Sequence, residues 1–319
     1  MTASFEKIDY SIRPAKHTER RMLSEVFRRL WPFQSISEYV YVGFGAIAFS
    51  DFILFHRNLG VRDMVSIERD PDGIERVREN VPFDIKIDNR PASQVLPELD
   101  WQRRHIFWLD YDDSLVPDML LDSGIVATNA VSGTILAISF NCHRAKELAE
   151  AKEAGESVEA LDLFRDRFGR ERIPDDVSED DLYGWPFGKI GRKLICNEIE
   201  SALAVRNIDA KDLMSFHHIC EIEYQDGAKM TTLVGIFVSD SDAEKLFSCS
   251  FSSLDFLGKD SGPIRISVPK LTIREIRDLE RQLPLAAGAE IVRGHVPESD
   301  ARNFVELYRY LPNFAVLEG

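Results

Sequence analysis

The chain has 319 residues, 44% of them hydrophobic and 29% charged, enough apolar material for a sizeable core in one large domain with additions or in two domains. Its 39 basic and 54 acidic residues leave a net charge of −15, which repels a phosphate backbone and argues against non-specific nucleic-acid binding. Cys142, Cys196, Cys220 and Cys249 are widely spaced with no C-x-x-C pair. With no secretory signal and no apolar run near the ~18 residues of a membrane span, they point to free thiols in the cytoplasm and to no membrane partner.

The segment from Ser11 to Leu30 is the most basic window, with Arg13, Lys16, His17, Arg20, Arg21, Arg28 and Arg29. Met22, Leu23, Val26, Phe27 and Leu30 give it an apolar stripe at helical spacing. Residues 1–35 therefore read as an N-terminal amphipathic helical segment. The plain reading packs it on a sheet with its arginines solvated; the sharper one makes Arg13, Lys16 and Arg20 the ligands of an anionic substrate or phosphate.

From Tyr39 to Asp70 the pattern is strand, glycine turn, helix, strand. An apolar run over Tyr39–Val42 breaks at Gly43-Phe44-Gly45, and Ile47, Phe49, Phe52, Ile53 and Phe55 continue at helical spacing until Asn58 and Gly60. A second apolar run, Met64–Ile67, ends at Glu68, whose distance from Gly45 is near the spacing of about 20 residues expected of a ribose-binding carboxylate. Such a unit holds a nucleoside: glycines let a ligand approach the backbone, and the carboxylate accepts from the ribose hydroxyls. The plainer alternative leaves the crevice without a ligand and Glu68 solvated. Gly43-x-Gly45-x-x-Ala48 also fits the permissive dinucleotide pattern, so this unit alone does not separate a nicotinamide enzyme from a methyltransferase.

Asp70-Pro71-Asp72 is expected to open a helix through Ile74 and Val77. A third strand over Phe83–Ile87 ends in Asp88-Asn89, a helix follows over Ala92–Leu99, and a fourth strand over His105–Leu109 ends in Asp110-Tyr111-Asp112-Asp113. In an open parallel sheet the strand ends face the ligand crevice, so Glu68, Asp88 and Asp110 are expected to converge there. Ser114–Ala130 reads as a helix capped by Asp113 or Ser114, and Thr134–Phe140 as a fifth strand ending at Asn141; a strand over Gly124–Thr128 is the alternative, with a cramped crossover.

A solvated helix is expected over Ala145–Ala160, then a polar insertion over residues 161–185 that reads as a crevice lid or a surface excursion, then a helix over Ile190–Val205. Phe216–Tyr224 and Lys229–Val238 are strand-like, joined by Gln225-Asp226-Gly227-Ala228, an antiparallel hairpin. Such a hairpin after five parallel strands differs from the second half of a nicotinamide fold. Residues 241–319 form a small α+β addition: a strand over Pro263–Val268, a helix opened by the capping pattern Thr272-x-x-Glu275, and a helix over Glu298–Leu311.

Over residues 36–240 the sequence resembles the class I S-adenosylmethionine-dependent methyltransferases, and the strings Arg13-Pro14-Ala15-Lys16 and Tyr41-Val42-Gly43-Phe44-Gly45 look like uncharacterised bacterial O-methyltransferase-like proteins, some thought to be phage-defence associated. The resemblance implies a Rossmann-like, doubly wound α/β sheet closed by an antiparallel hairpin, with S-adenosylmethionine as cofactor. It places Tyr41, Gly43 and Gly45 at the cofactor's methionine part, Glu68 at the ribose, Asp88 and Asn89 at the adenine, and Asp110 beside the methyl group and the acceptor. Where the family carries an acid two residues before its first glycine, this chain has Tyr41, and Ile47 stands for the third glycine.

Methyl transfer to a hydroxyl needs alignment, exclusion of water and a base. Asp110 is the first candidate, with Asp112, His217 or His218 behind it; the two histidines are strand neighbours pointing to opposite faces, so they cannot form one metal site together. Asp110, Asp112 and Asn141 carry the oxygen donors Mg²⁺ takes, but no metal site is assigned. The expected activity is O-methyl transfer to a small-molecule or nucleotide-like, anionic acceptor. A non-catalytic sensing module in a defence complex, with a protein partner or a second copy of the chain, is the alternative, and a nicotinamide oxidoreductase ranks last because of the hairpin.

Overall fold

The central strands are mostly apolar and bury alternate residues on opposite faces of the sheet. The computed structural model describes residues 13–69, 73–154, 160–257, 262–286 and 288–312. Its strands are β1 (Val40–Gly43), β2 (Asp63–Ile67), β3 (Lys86–Asp88), β4 (His105–Ser114), β5 (Ile135–Asn141), β6 (Met214–Asp226), β7 (Ala228–Ser239) and β8 (Ile264–Ile266). They form one sheet in the order β3-β2-β1-β4-β5-β7-β6-β8. The first five strands are parallel, β7 runs antiparallel between β5 and β6, and β8 pairs parallel to β6. The expected Rossmann-like doubly wound sheet with its closing hairpin is what forms; Gly227, at φ 88°, makes the hairpin turn.

On one face Tyr41, Ile106 and Trp108 pack against α1 (Pro14–Arg28) and α2 (Ser50–Leu59), and the same core takes in Ile74 and Val77 of α3 (Ile74–Glu79). On the other, Val40, Val42, Phe107 and Leu109 pack with α4 (Ala92–Val95), α5 (Pro117–Asn129) and α8 (Gly184–Arg206). Residues 70–72, expected at a helix start, lie outside the described residues, as do 1–12 of the N-terminal segment.

The structure corrects several expectations. The helix after the glycine turn starts only at Ser50, because Ala46 (φ 46°) and Phe49 (φ 47°) take left-handed conformations that continue the loop. The fourth strand does not stop at Leu109 but continues through an irregularity after Asp110 to Ser114. Neither Asp113 nor Ser114 caps α5: Pro117 opens it, Val116 is the N-cap, and the Ser114 hydroxyl donates to the Arg144 carbonyl at 2.5 Å.

The 145–160 stretch is resolved as α6 (Lys146–Ala154) and the start of α7 (Ala160–Phe168), and α8 begins six residues before the expected Ile190. The 161–185 stretch is pinned by buried Phe164, Phe168, Ile173 and Leu182, with Gly184 N donating to Cys142 O at 2.6 Å. It packs over the end of β5.

C-terminal to β7 come α9 (Ala243–Cys249), α10 (Ile273–Glu280), whose Thr272–Glu275 capping box forms as expected, and α11 (Glu298–Leu307). Their Leu279, Phe304 and Leu307 join the core that also holds α1 and α2. No described helix is long and apolar enough to cross a membrane, and all four cysteines are unpaired.

Candidate active site

The glycine loop is built by close approach. A Cβ on Gly43 would lie 2.7 Å from the Tyr41 hydroxyl oxygen, and one on Gly45 would lie 2.4 Å from the Phe49 ring and 2.7 Å from Ser66 Oγ. The left-handed turn at Phe49 folds its ring, wholly buried, beneath Gly45. Gly45 N donates to Ser66 Oγ at 2.9 Å and to Glu68 Oε1 at 3.0 Å, Ala46 N donates to the same Oε1 at 3.1 Å, and the Ser66 hydroxyl donates to it at 2.6 Å. Ser66 and Glu68 lie two apart along one strand direction, so both reach the loop. Burial pushes the Glu68 carboxyl up despite these donors. Among the described residues no donor reaches the other oxygen, Oε2.

Tyr41 is fully buried in an aromatic cluster, edge-on to Phe52 at 4.8 Å and to Phe55 at 5.1 Å, contacts of about 0.5–1.5 kcal/mol each. Its hydroxyl donates to Asp51, in the first turn of α2. Asp51 is 7% exposed, and burial raises its carboxyl, with the charge of Arg20 and the Tyr41 hydrogen bond opposing. An acid thus stands beside Tyr41, supplied by the helix instead of the strand.

Lys16 is 1% exposed, with Nζ 2.6 Å from Asp110 Oδ1, 2.9 Å from Glu19 Oε2 and 4.3 Å from the Trp108 ring centre. Glu19 also accepts from the Thr232 hydroxyl. Thr232 in turn lies 2.7 Å from Ser139 Oγ, which accepts from Trp108 Nε1 at 2.9 Å. The donors run in one direction, Trp108 to Ser139 to Thr232 to Glu19, leaving Lys16 to face both Glu19 and Asp110. Asp226, at the end of β6, accepts from the N–H groups of Ala15 and Lys16 at 3.3 and 2.8 Å and so fastens the start of α1 to the sheet. Tyr224 completes the cluster; its hydroxyl is buried without a hydrogen-bond partner, and Glu19, Asp110, Arg13 and Arg20 are the charges around it.

The loop, Tyr41, Glu68 and Asp110 therefore come together at the carboxyl ends of β1, β2 and β4, with Arg20 close enough to act on Tyr41 and Asp51. Arg13 is the half-buried N-cap residue of α1. Lys16 is not a free anion ligand as expected, because its ammonium is buried and spent on Glu19 and Asp110. Asp88 also departs from expectation: its two oxygens are each 2.8 Å from Arg90, which reaches on to Glu98, so the carboxylate is already paired, while Asn89 is half-buried beside it.

Asp112 is exposed on the outer part of β4. His218 does not join the crevice: it pairs with Gly235 near the start of β6, 48% exposed, 3.7 Å from Glu221. No three described His, Cys, Asp or Glu residues group closely enough to hold a metal ion. A groove of about 920 Å³ opens elsewhere, on the α8 face of β6, lined by Trp185, Lys189 and Glu221 among others but by none of the loop, Glu68 or Asp110.

Sequence reasoning missed Asp51, Glu19, Ser66, Tyr224 and Asp226. Glu19 carried a faint signal, three residues after Lys16 on one helix face, and Ser66 another, two before Glu68. Asp51 and Asp226 carried none, being distant in sequence from what they contact.

The strand order, glycine loop and crevice acids define a class I methyltransferase fold. The chain belongs to the family described as "Putative O-methyltransferase", whose model matches residues 8–319. Among curated proteins nothing matches. Among solved structures it is similar to an O-methyltransferase described as putative from Klebsiella pneumoniae, at 11% identity over 72% of this chain and 83% of that one, TM-score 0.37. It is also similar to cofactor-bound Rv0187 from MTB, at 12% over 72% and 83%, TM-score 0.36. A third is Trm1 from Pyrococcus horikoshii with S-adenosyl-L-methionine, at 14% over 72% and 58%, TM-score 0.42.

Proposed function

We propose that the chain transfers the methyl group of S-adenosylmethionine to an oxygen of a small, anionic acceptor, with Asp110 as the base that takes the acceptor's proton. The observation that carries this reading is the Asp110 carboxylate at the irregularity of β4, 23% exposed and held from behind by the buried Lys16 ammonium at 2.6 Å. A carboxylate fixed by one oxygen keeps the other for a substrate hydroxyl.

The residues present fit the cofactor. Glu68 Oε2 is left for a ribose hydroxyl, Gly43 and Gly45 allow close approach to the backbone, and the unpartnered Tyr224 hydroxyl is a buried donor awaiting an acceptor. When bound, S-adenosylmethionine supplies an electrophilic methyl group on a sulfonium. The chain's own part is to orient the acceptor's oxygen, exclude water with the aromatic floor of Phe49 and Tyr41, and receive the proton on Asp110.

The test is turnover of S-adenosylmethionine over a panel of small hydroxylated acids and nucleotides, beside calorimetric titration with S-adenosylhomocysteine. Asp110→Asn is expected to lower turnover by at least a hundredfold while retaining S-adenosylhomocysteine binding, and Glu68→Ala to abolish binding. Full turnover in Asp110→Asn would remove the base assignment, and intact binding in Glu68→Ala would remove the cofactor site.

A further inference from the structure

Arg20 on α1 and Asp51 on α2 carry opposite charges on two helices that pack together beside the glycine loop, and among the described residues neither makes an ion pair. Asp51 is 7% exposed, and its side-chain partner is the neutral Tyr41 hydroxyl. Arg20 lies one helical turn beyond Lys16 on α1, which packs against α2 with the Phe27 and Phe55 rings 5.2 Å apart, and Asp51 stands in the first turn of α2. Among the described residues the Arg20 guanidinium makes no ion pair, and its Nε is buried without a hydrogen-bond partner. The neighbouring charges are committed: Lys16 to Glu19 and Asp110, and Glu19 to Lys16 and Thr232.

A buried carboxylate that no cation touches and a buried guanidinium nitrogen without an acceptor are each costly, and a ligand group that supplies both complements relieves both. The matching chemistry is an α-amino-acid group, ammonium and carboxylate on one carbon, with no net charge to bring in. Arg20 presents a planar fork suited to a carboxylate.

We infer that Arg20 and Asp51 form a two-charge clamp for the amino-acid end of S-adenosylmethionine, Arg20 binding its carboxylate and Asp51, oriented by Tyr41, its ammonium. This rests on the cofactor reading above.

The clamp is tested by calorimetric titration of the full chain with three ligands that share the nucleoside: S-adenosylhomocysteine, its decarboxylated form, and 5′-methylthioadenosine, which lacks the amino-acid group. Arg20→Gln and Asp51→Asn are each expected to weaken S-adenosylhomocysteine at least tenfold and to leave methylthioadenosine within twofold. For the decarboxylated ligand, Arg20→Gln is expected to have no effect and Asp51→Asn to keep its own. Unchanged S-adenosylhomocysteine affinity in both variants, or equal weakening of all three ligands, overturns the clamp while leaving the cofactor site standing. If the unaltered chain binds none of the three, the cofactor reading falls and the clamp with it. Should Asp51→Asn not fold, the Arg20→Gln arm decides alone, with Arg20→Lys restoring part of the affinity.

Discussion

Replacing Lys16 by methionine keeps the length of the side chain and removes its charge, leaving two carboxylates facing a buried thioether. Glu19 is wholly buried and loses its 2.9 Å partner; Asp110, 23% exposed, loses its 2.6 Å partner but can recover some hydration. Removing one member of a buried ion pair costs about 3–5 kcal/mol, mostly the penalty of the charge left behind. With about 2.1 cal/mol/K of unfolding entropy per residue, that is a melting point lower by roughly 5–8 °C for a chain of this length.

The assay is thermal unfolding of Lys16→Met and of Lys16→Met/Glu19→Gln. The second substitution removes the stranded charge while its amide oxygen still accepts from Thr232, so the double variant is expected to melt above the single one. A Lys16→Met protein melting within about 2 °C of the unaltered chain, or a double variant less stable than the single, would refute the claim that Lys16 is the cation around which this cluster is assembled.

Three further outcomes are expected. Gly45→Ala drives a methyl group into the Phe49 ring at 2.4 Å and Ser66 Oγ at 2.7 Å, so it should cost at least about 2 kcal/mol in urea unfolding, relieved in part by Phe49→Leu. Burial holds His105 down at about 4, below the usual 6.5 of an unfolded histidine, so its contribution is complete above pH 6.5 and lost as pH falls toward 4. His105→Phe should therefore flatten the acid side of the stability profile by up to about 3 kcal/mol between pH 7 and pH 4, read by urea titration at both. Arg90→Gln removes a pair whose arginine is 38% exposed, and its melting point should stay within about 2 °C of the unaltered chain.

The fold was legible because its signals are local. Largely apolar runs at Tyr39–Val42, Met64–Ile67 and His105–Leu109 declare strands buried on both faces, and Asp226-Gly227 declares the hairpin that sets this sheet apart from a nicotinamide fold. Boundaries were less legible where tertiary contact overrode propensity. Ile47 and Phe49 keep helical spacing, yet Phe49 turns left-handed to place its ring under Gly45, a gain in packing that no local rule registers. Glu68 and Asp110 could be placed because strand ends face the crevice whatever surrounds them.

What occupies those carboxylates was a different matter. The basic character of the N-terminal helix is written in its residues, but composition cannot tell a solvated lysine from Lys16, which depends on Asp110, 94 positions away, and on Trp108 beneath it. Likewise the sequence shows Tyr41 where an acid is expected, and only the packing of α2 on β1 brings Asp51 to its hydroxyl. The sequence by itself determined the strand order's alphabet, the glycine turn and the acids at the strand tips, since each follows from short-range periodicity and backbone sterics. Tertiary structure alone decided which charges are spent on one another and which stay open for a ligand, because charge pairing is set by distance and dielectric, and both are properties of the folded chain.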